Sequence, residues 1–129
     1  MTFTGGLVAT APSAINLAGT VATTNTTMTL GDGNTGITLT ADTILSAGNG
    51  AINVNGAVTG GTNALTINTT GTGTLAATIS GLTTLETNSG GTTVISVDIS
   101  SSSTQTYNDA VTVNGTLDFT GSTVQFAST

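Results

Sequence analysis

One short pattern, Ala-Ile-Asn-aliphatic-x-Gly-x-Val, returns along this chain of 129 residues and constrains its fold more than any other feature. Residues 14–30 (AINLAGTVATTNTTMTL) align without a gap on residues 51–67 (AINVNGAVTGGTNALTI), and a related first half returns at residues 110–117. The copies begin at residues 14, 51 and 110, with offsets of 37 and 59. Both offsets are close to multiples of about 19 residues, a period typical of solenoids in which each repeat forms one coil.

Short stretches that alternate aliphatic and polar residues run along the whole chain. Examples are MTL (28–30), ITL (37–39), INV (52–54) and LTI (65–67). Alternation with a period of two predicts strands with one buried face, whereas no 3.6-residue stripe indicates a helix. Glycine-containing turns at 31–34, 48–50, 60–61, 71–73 and 89–91 separate these stretches.

The pattern predicts an all-β chain in which residues 1–129 form a single right-handed parallel β-solenoid of about six to seven coils. With about 4.8 Å between coils, the rod would be roughly 30 Å long. Thr, Asn and Ser would form ladders on the outer surface. The rival prediction, an antiparallel β-sandwich, accounts for short strands but not for the gapless self-match. The inward-facing residues are expected to be Ile15, Leu17, Val21, Met28, Leu30, Ile37, Leu39, Ile52, Val54, Val58, Leu65, Ile67, Leu75, Ile79, Val94, Val97, Val111, Val113, Leu117 and Phe119.

The charge composition excludes several classes of function. The chain has no Lys, Arg or His, and its six charged residues are all acidic. Nucleic acid and anionic membranes are bound through cationic side chains, so neither is an expected partner. Catalytic triads need His, Lys or Cys as base or nucleophile, so the chain is not expected to be an enzyme. No apolar run approaches the ~18 residues of a membrane span.

The possible metals are restricted in the same way. Zinc and iron–sulfur sites use Cys or His, and the chain has neither. We therefore expect no cofactor, and weak binding of a hard cation with oxygen ligands, such as calcium, is the one alternative left open. Asp32 and Asn34 have the i, i+2 spacing of a calcium loop and are the weak metal candidates, although no further acidic ligand follows at loop spacing. A plain glycine-rich turn is the preferred interpretation of these residues.

Three other groups of side chains have both a functional and a structural interpretation. Asp98, Asp109 and Asp118 could meet on neighbouring coils and serve a carbohydrate-binding or carbohydrate-cleaving β-helix. The preferred interpretation is that they are isolated acids on the polar face that supply solubility. Tyr107, with the three phenylalanines, could stack on sugars. It is expected instead to pack at a coil corner with its hydroxyl in water, while Phe119 and Phe126 close the core of the last coils.

Threonine pairs supply the third group. The pairs Thr27/Thr29 and Thr38/Thr40 could belong to a flat array that binds ice. Thr is also an ordinary outward residue of a strand, which is the structural alternative.

The C-terminal half, from Leu65 to Phe126, resembles the repeat regions of filamentous-haemagglutinin-like and related large bacterial adhesins. The resemblance lies in ISGLTTL (79–85), GGTT (90–93) and above all TQTYNDAV (104–111). It implies a right-handed β-helical shaft that is secreted across the outer membrane of a Gram-negative cell and holds adhesive tips away from the surface. The secretion and anchoring parts of such proteins are not present in this sequence.

The two ends of the chain complete the functional prediction. Residues 1–8 (MTFTGGLV) and 119–129 (FTGSTVQFAST) are strand-like and contain no charged side chain. A solenoid end exposes unpaired backbone groups and an apolar cross-section, and such an edge recruits another chain unless it is capped. We therefore expect a structural, extracellular or cell-surface module, either a filament subunit that stacks head to tail with copies of itself or a shaft segment of a larger adhesin.

Overall fold

A computed structural model of the chain describes residues 1–88 and 90–127. Ser89, which belongs to one predicted turn, and residues 128–129 of the C-terminal segment lie outside the described residues. In chain order the strands are β1 (Thr2–Phe3), β2 (Leu7–Ala9), β3 (Ala14–Thr23), β4 (Met28–Leu30), β5 (Gly36–Gly48), β6 (Ile52–Val54), β7 (Ala57–Thr59), β8 (Leu65–Thr69), β9 (Thr72–Leu75), β10 (Ile79–Leu82), β11 (Leu85–Thr87), β12 (Thr92–Ile95), β13 (Ile99–Ser101), β14 (Thr104–Tyr107), β15 (Ala110–Val113), β16 (Phe119–Thr120) and β17 (Thr123–Phe126).

The strands stack into three parallel faces. Face 1 consists of β2, β4, β6, β9, β12 and β15. Faces 2 and 3 form one sheet, because β3 and β5 are long enough to run through both. Face 2 contains residues 14–17 of β3, residues 36–39 of β5, and then β7, β10, β13 and β16. Face 3 contains β1, the remainder of β3 and β5, and then β8, β11, β14 and β17.

This architecture confirms the predicted parallel β-solenoid. Every strand pair among the described residues is parallel, so the antiparallel sandwich is wrong. The chain completes about six turns, as the six strands of face 1 show. The coils are less regular than the predicted 19 residues: paired residues of adjacent coils are 18 apart at Thr93 and Val111 but 24 apart at Met28 and Ile52.

The sequence repeats that begin at residues 14, 51 and 110 only partly occupy equivalent positions in the structure. Ile52 aligns with Val111 through Gly73 and Thr93 on face 1, so the offset of 59 spans three whole coils. Ile15 lies on face 2, whereas Ile52 lies on face 1, so the offset of 37 compares different faces. All three faces need the same alternation of inward aliphatic and outward polar residues, and a repeat can therefore recur on a different face.

The interior is filled by aliphatic ladders that follow the predicted pattern over most of the rod. On face 2 one ladder contains Ile15, Ile37, Val58, Ile79, Ile99 and Phe119. Most predicted inward residues are buried, while Val97, Val111, Leu117, Phe119 and Ile15 are partly buried against the same core. Leu45, Leu82, Leu85, Ile95 and Ile99 are also in the core, although the sequence pattern did not select them.

The prediction for Val94 is wrong by one position. Thr93 and Ile95 are buried, and Val94 between them is only partly covered on the outer side of β12. The sequence from Ile95 to Ile99 alternates like one continuous strand, but the chain turns a corner inside it and β13 begins at Ile99. Since a slip of one residue exchanges the two faces of a strand, the corner rather than the local alternation decides which valine is inside.

Polar residues also enter the interior, contrary to the expectation that they form only outer ladders. Thr87, Thr93 and Gln105 are fully buried on the inner side of their strands. Gln105 follows Leu65 and Leu85 in one ladder of face 3, and Thr87 lies between Ile67 and Tyr107 in the next. Buried polar side chains therefore occur in the last coils as well as earlier in the rod, where Thr43 and Thr69 are buried.

Candidate functional site

The metal candidates Asp32 and Asn34 lie in the loop between β4 and β5, and both are exposed. Oδ1 of Asp32 accepts hydrogen bonds from the N–H of Asn34 (2.9 Å) and from the hydroxyl of Thr35 (3.0 Å). These donors lower the pKa of the Asp32 carboxyl, because they stabilise its ionised form. The loop is thus closed by the Asp32 side chain in the manner of an Asx turn. Among the described residues, no three acidic side chains are grouped as metal ligands.

The three aspartates considered as a carbohydrate site, Asp98, Asp109 and Asp118, are divided between two places. Asp98 and Asp118 are exposed neighbours before β13 and β16, and Oδ1 of Asp98 accepts the N–H of Asp118 (3.0 Å). Asp109 is not on the polar face, since only 2 % of it is exposed. Its carboxylate accepts hydrogen bonds from the N–H of Gly91 (3.1 Å) and from Thr93 Oγ1 (2.9 Å). Asp109 therefore ties the corner before β12 to the corner before β15.

Tyr107 occupies a different environment from the predicted one. Its side chain is fully buried, and its hydroxyl donates to Oε1 of Gln105 at 2.8 Å rather than to water. The amide nitrogen of Gln105 donates in turn to the carbonyl oxygens of Ile99 (3.2 Å) and Thr120 (2.8 Å). This network crosses the interior from face 3 to face 2 and fixes the last coils together.

Burial raises the pKa of the Tyr107 hydroxyl above its ordinary value of 10.0, because the phenolate would lose its hydration. The hydroxyl therefore contributes stability that is fully present below about pH 10 and declines as the pH rises above it. Tyr107 is the only tyrosine of the chain, so tyrosinate absorbance reports on this one group. We expect no ionisation of the folded chain at pH 10 to 11, and a step that coincides with loss of β-sheet circular dichroism at higher pH. A separate ionisation step in the folded protein would contradict the buried geometry.

Thr38 and Thr29, one from each threonine pair, lie in outward files that also contain other residue types. On the outside of face 2 a single file of polar residues contains Asn16, Thr38, Thr59, Ser80, Ser100 and Thr120. The adjacent outward file begins with Ala14, Gly36 and Ala57, so it supplies no second row of hydroxyls there. On face 1 the file of Thr29 also contains Val8, Asn53 and Val94. The files of Thr29 and Thr38 are therefore not continuous rows of threonine along the described coils.

The C-terminal end of the rod is an open edge. β15, β16 and β17 each pair only with the preceding coil among the described residues. Val113 continues the inward ladder of Ile95 yet is 42 % exposed, because no further strand within residues 1–88 and 90–127 covers it. Phe126 is 50 % exposed and stacks on Tyr107, with ring centroids 5.0 Å apart. Phe119 meets both rings edge to face. The last coil thus presents apolar side chains and a free strand edge together.

The N-terminal end is also incomplete. β2 and residues 14–17 of β3 pair only with the following coil, whereas the second part of β3 is covered by β1. A cavity of about 280 Å³ lies at this end, between residues of β1 and β2 and residues of β3. Its apolar lining includes Phe3, Leu7, Ile15, Leu17 and Val21. No charged side chain is among the residues that line it.

Comparison of the chain with protein-family models, with curated proteins and with solved structures finds no match. The resemblance to filamentous-haemagglutinin-like adhesins stays a prediction from the sequence. The described part of the chain contains no helix with the length and hydropathy of a membrane span. The sequence predicted that both ends of the rod would be uncharged and strand-like. The cavity and the aromatic cluster, in contrast, follow from the way the coils stack.

Proposed function

We propose that this chain is a structural module whose function is to extend a β-solenoid by stacking end to end on copies of itself. The observation that carries the proposal is the combination of a free strand edge and exposed inward-facing apolar residues at the C-terminal coil, where Val113 and Phe126 are about half exposed. A second coil placed on this edge would cover both residues and pair the backbone of three strands at once. Free edges of this kind recruit further strands.

The chemistry of the two ends supports head-to-tail rather than head-to-head stacking. The ladders that end in Val111 and Val113 begin with Leu7 and Ala9 at the other end of face 1. A head-to-tail contact continues each ladder with an aliphatic residue and keeps the strands parallel. Because such a contact continues the axis of the rod, the unlike ends meet without closing a ring, and the product is a fibre.

An extracellular or cell-surface role, as a filament or as part of an adhesin shaft, belongs to the same proposal. In a shaft, the neighbouring coil would come from the same polypeptide, and the physical task of the module would be unchanged. Its support is the stacked-coil architecture and the resemblance of residues 65–126 to adhesin repeats. The absence of basic residues also leaves no cleavage site for trypsin-like proteases, which suits an exposed material.

Negative-stain electron microscopy of the purified chain at neutral pH, with and without a chelator, tests the proposal. Long unbranched fibres are expected in both conditions, because the contact consists of apolar ladders and backbone pairing rather than of metal bridges. Discrete monomers in both would overturn self-stacking, and fibres lost with chelator would show that divalent cations hold the copies together.

A matched pair of variants locates the contact. Val113→Asp places a charge on the inner side of the last strand of face 1, and it is expected to abolish fibres, since stacking would bury an unpaired carboxylate. Thr112→Asp places the same charge on the outer side of the same strand, where Thr112 is exposed. It is expected to leave fibre formation intact. Fibres from both variants would place the contact elsewhere.

A further inference from the structure

The three faces do not contain the same number of strands. Faces 1 and 2 each have six strands in the described residues, but face 3 has a seventh because β1 pairs with the N-terminal side of β3. At the C-terminal end all three faces finish in the same coil, with β15, β16 and β17. The N-terminal end therefore has a step that the C-terminal end does not match.

This step decides how two copies could meet. If β1 of one copy paired with β17 of the next, β2 would be separated from β15 by the width of a missing strand, and residues 14–17 from β16 likewise. If instead β2 paired with β15 and residues 14–17 with β16, then β17 would have to occupy the edge of β3 that β1 now covers. Only the second alignment closes all three faces.

We propose that β1 is a displaceable strand that occupies the docking edge for β17 of a second copy, so that stacking requires β1 to leave. The inference rests on the proposed function, and it assigns the partner edge and the register of the contact. β1 contains only Thr2 and Phe3, and Met1 before it is exposed, so few contacts hold it in place. The strand therefore acts as a removable cap on the growing end.

The hydrogen bonds show the competition directly. The N–H of Ala22 donates to the carbonyl oxygen of Met1 (2.8 Å), and the N-terminal amine donates to the carbonyl oxygen of Thr20 (2.6 Å). The ladder of Val21 continues through the rod to Phe126, so Phe126 of a second copy would lie next to Val21. Its carbonyl would then accept the N–H of Ala22, as the carbonyl of Tyr107 accepts the N–H of Ala127 (2.8 Å).

The packing favours the exchange. The cavity at the N-terminal end is lined by Met1 and Phe3 as well as by Ile15 and Val21. With β1 displaced, ladder continuity would place the Phe119 ring of the second copy over Ile15 and its Phe126 ring over Val21. The half-exposed ring of Phe126 and the partly buried ring of Phe119 would enter an apolar space that the chain's own first coil does not fill.

Pairs of introduced cysteines can report the register of the contact between two copies, because the chain has no native cysteine. Thr20 and Gln125 share a ladder but lie five coils apart within one molecule. Five coils correspond to about 24 Å. A disulfide joins residues whose Cα atoms are within roughly 7 Å, so these two positions cannot be linked within one molecule. After mild oxidation, Thr20→Cys/Gln125→Cys is expected to give a series of covalent dimers, trimers and higher species on a non-reducing gel. The pair Thr2→Cys/Ala127→Cys would link only if β1 stayed in place, and it is expected to remain monomeric.

The outcomes separate this inference from the proposed function. Linkage of Thr2→Cys/Ala127→Cys but not of the first pair would overturn displacement and leave stacking intact. Fibres of the unmodified chain with neither pair linked would overturn the assigned edge. No fibres and no linkage in any chain would overturn both.

A reversible lock provides the second test. Thr2 and Ala22 are paired neighbours on adjacent strands, so Thr2→Cys/Ala22→Cys would hold β1 in place when oxidised. Fibres are expected to be lost in the oxidised state and to return on reduction. The control Thr38→Cys/Thr59→Cys links an equivalent outward pair in the middle of face 2 and should form fibres in both states. Fibres from the oxidised Thr2→Cys/Ala22→Cys chain would show that β1 does not compete with β17.

Discussion

Replacing Gly71 by alanine is expected to lower the free energy of unfolding by about 1–2 kcal/mol, although it is one of the smallest changes possible in the chain. Gly71 lies at the corner between faces 3 and 1, in a stack with Gly50 before it and Gly91 after it. A Cβ at Gly71 would lie 2.7 Å from the carbonyl oxygen of Asn49 and 2.9 Å from that of Gly50. Both atoms are backbone of the preceding coil and cannot move away like a side-chain end.

Two opposing contributions to the free energy of unfolding decide whether Gly71→Ala stabilises or destabilises the fold. Substituting alanine for glycine reduces the entropy of the unfolded chain, which stabilises by about 0.4–1 kcal/mol where the folded site has room. The clash at Gly71 forces the backbone of neighbouring coils to shift, and crowding of this kind costs about 1–3 kcal/mol or more. The crowding exceeds the entropic gain, because coils on both sides hold the corner in place.

Gly33 supplies the matched control. It lies in an exposed loop, a Cβ there would meet no atom within 4 Å, and its φ is not in the left-handed region. Gly33→Ala should therefore be neutral or slightly stabilising. Urea unfolding followed by circular dichroism measures both variants, and equal stabilities of Gly71→Ala and Gly33→Ala would mean that the corner relaxes freely.

Gln105→Leu is expected to destabilise the fold by about 2–4 kcal/mol, even though leucine matches glutamine closely in volume. The substitution leaves the hydroxyl of Tyr107, which is fully buried, without its acceptor at 2.8 Å. It also removes the amide donor from the carbonyls of Ile99 and Thr120. A buried polar group without a partner costs about 1–3 kcal/mol.

A double-mutant cycle separates this network from simple packing. Tyr107→Phe alone should cost about 1–2 kcal/mol, because the Oε1 atom of Gln105 loses its donor. The double variant Gln105→Leu/Tyr107→Phe removes both partners of that bond, so its destabilisation should fall below the sum of the two single effects by about 1–2 kcal/mol. Strictly additive effects in urea unfolding would mean that the two side chains do not stabilise each other.

Several features of the fold could be predicted because they depend on local alternation alone. A chain in which MTL, ITL, INV and LTI follow one another between glycine turns must bury one side of each strand. The aliphatic positions of these stretches, such as Met28, Ile37, Ile52 and Leu65, are all buried. The sequence has no helical periodicity, and similar stretches recur along it. Stacking of parallel strands was therefore the remaining way to bury these aliphatic side chains.

The candidate sites were predicted less well, because their environments depend on which coil lies next to them. Tyr107 lies between Thr106 and Asn108, and Asp109 carries a charge, so both were predicted to be at the surface. Tyr107 is buried because Phe126 of the next coil stacks on it, and Asp109 because the corner at Gly91 and Thr93 surrounds its carboxylate. No local pattern contains those neighbours.

The sequence by itself determined the strand-forming segments, the turns, the parallel solenoid class and the uncharged character of both ends. Only the tertiary structure decided the length of each coil, the face on which each repeat lies, the burial of Tyr107, Gln105 and Asp109, and the extra strand β1 at the N-terminal end. The physical reason is that alternation fixes which side of a strand is apolar, whereas register and corner geometry depend on contacts about 20 residues apart along the chain, as between Ile79 and Ile99.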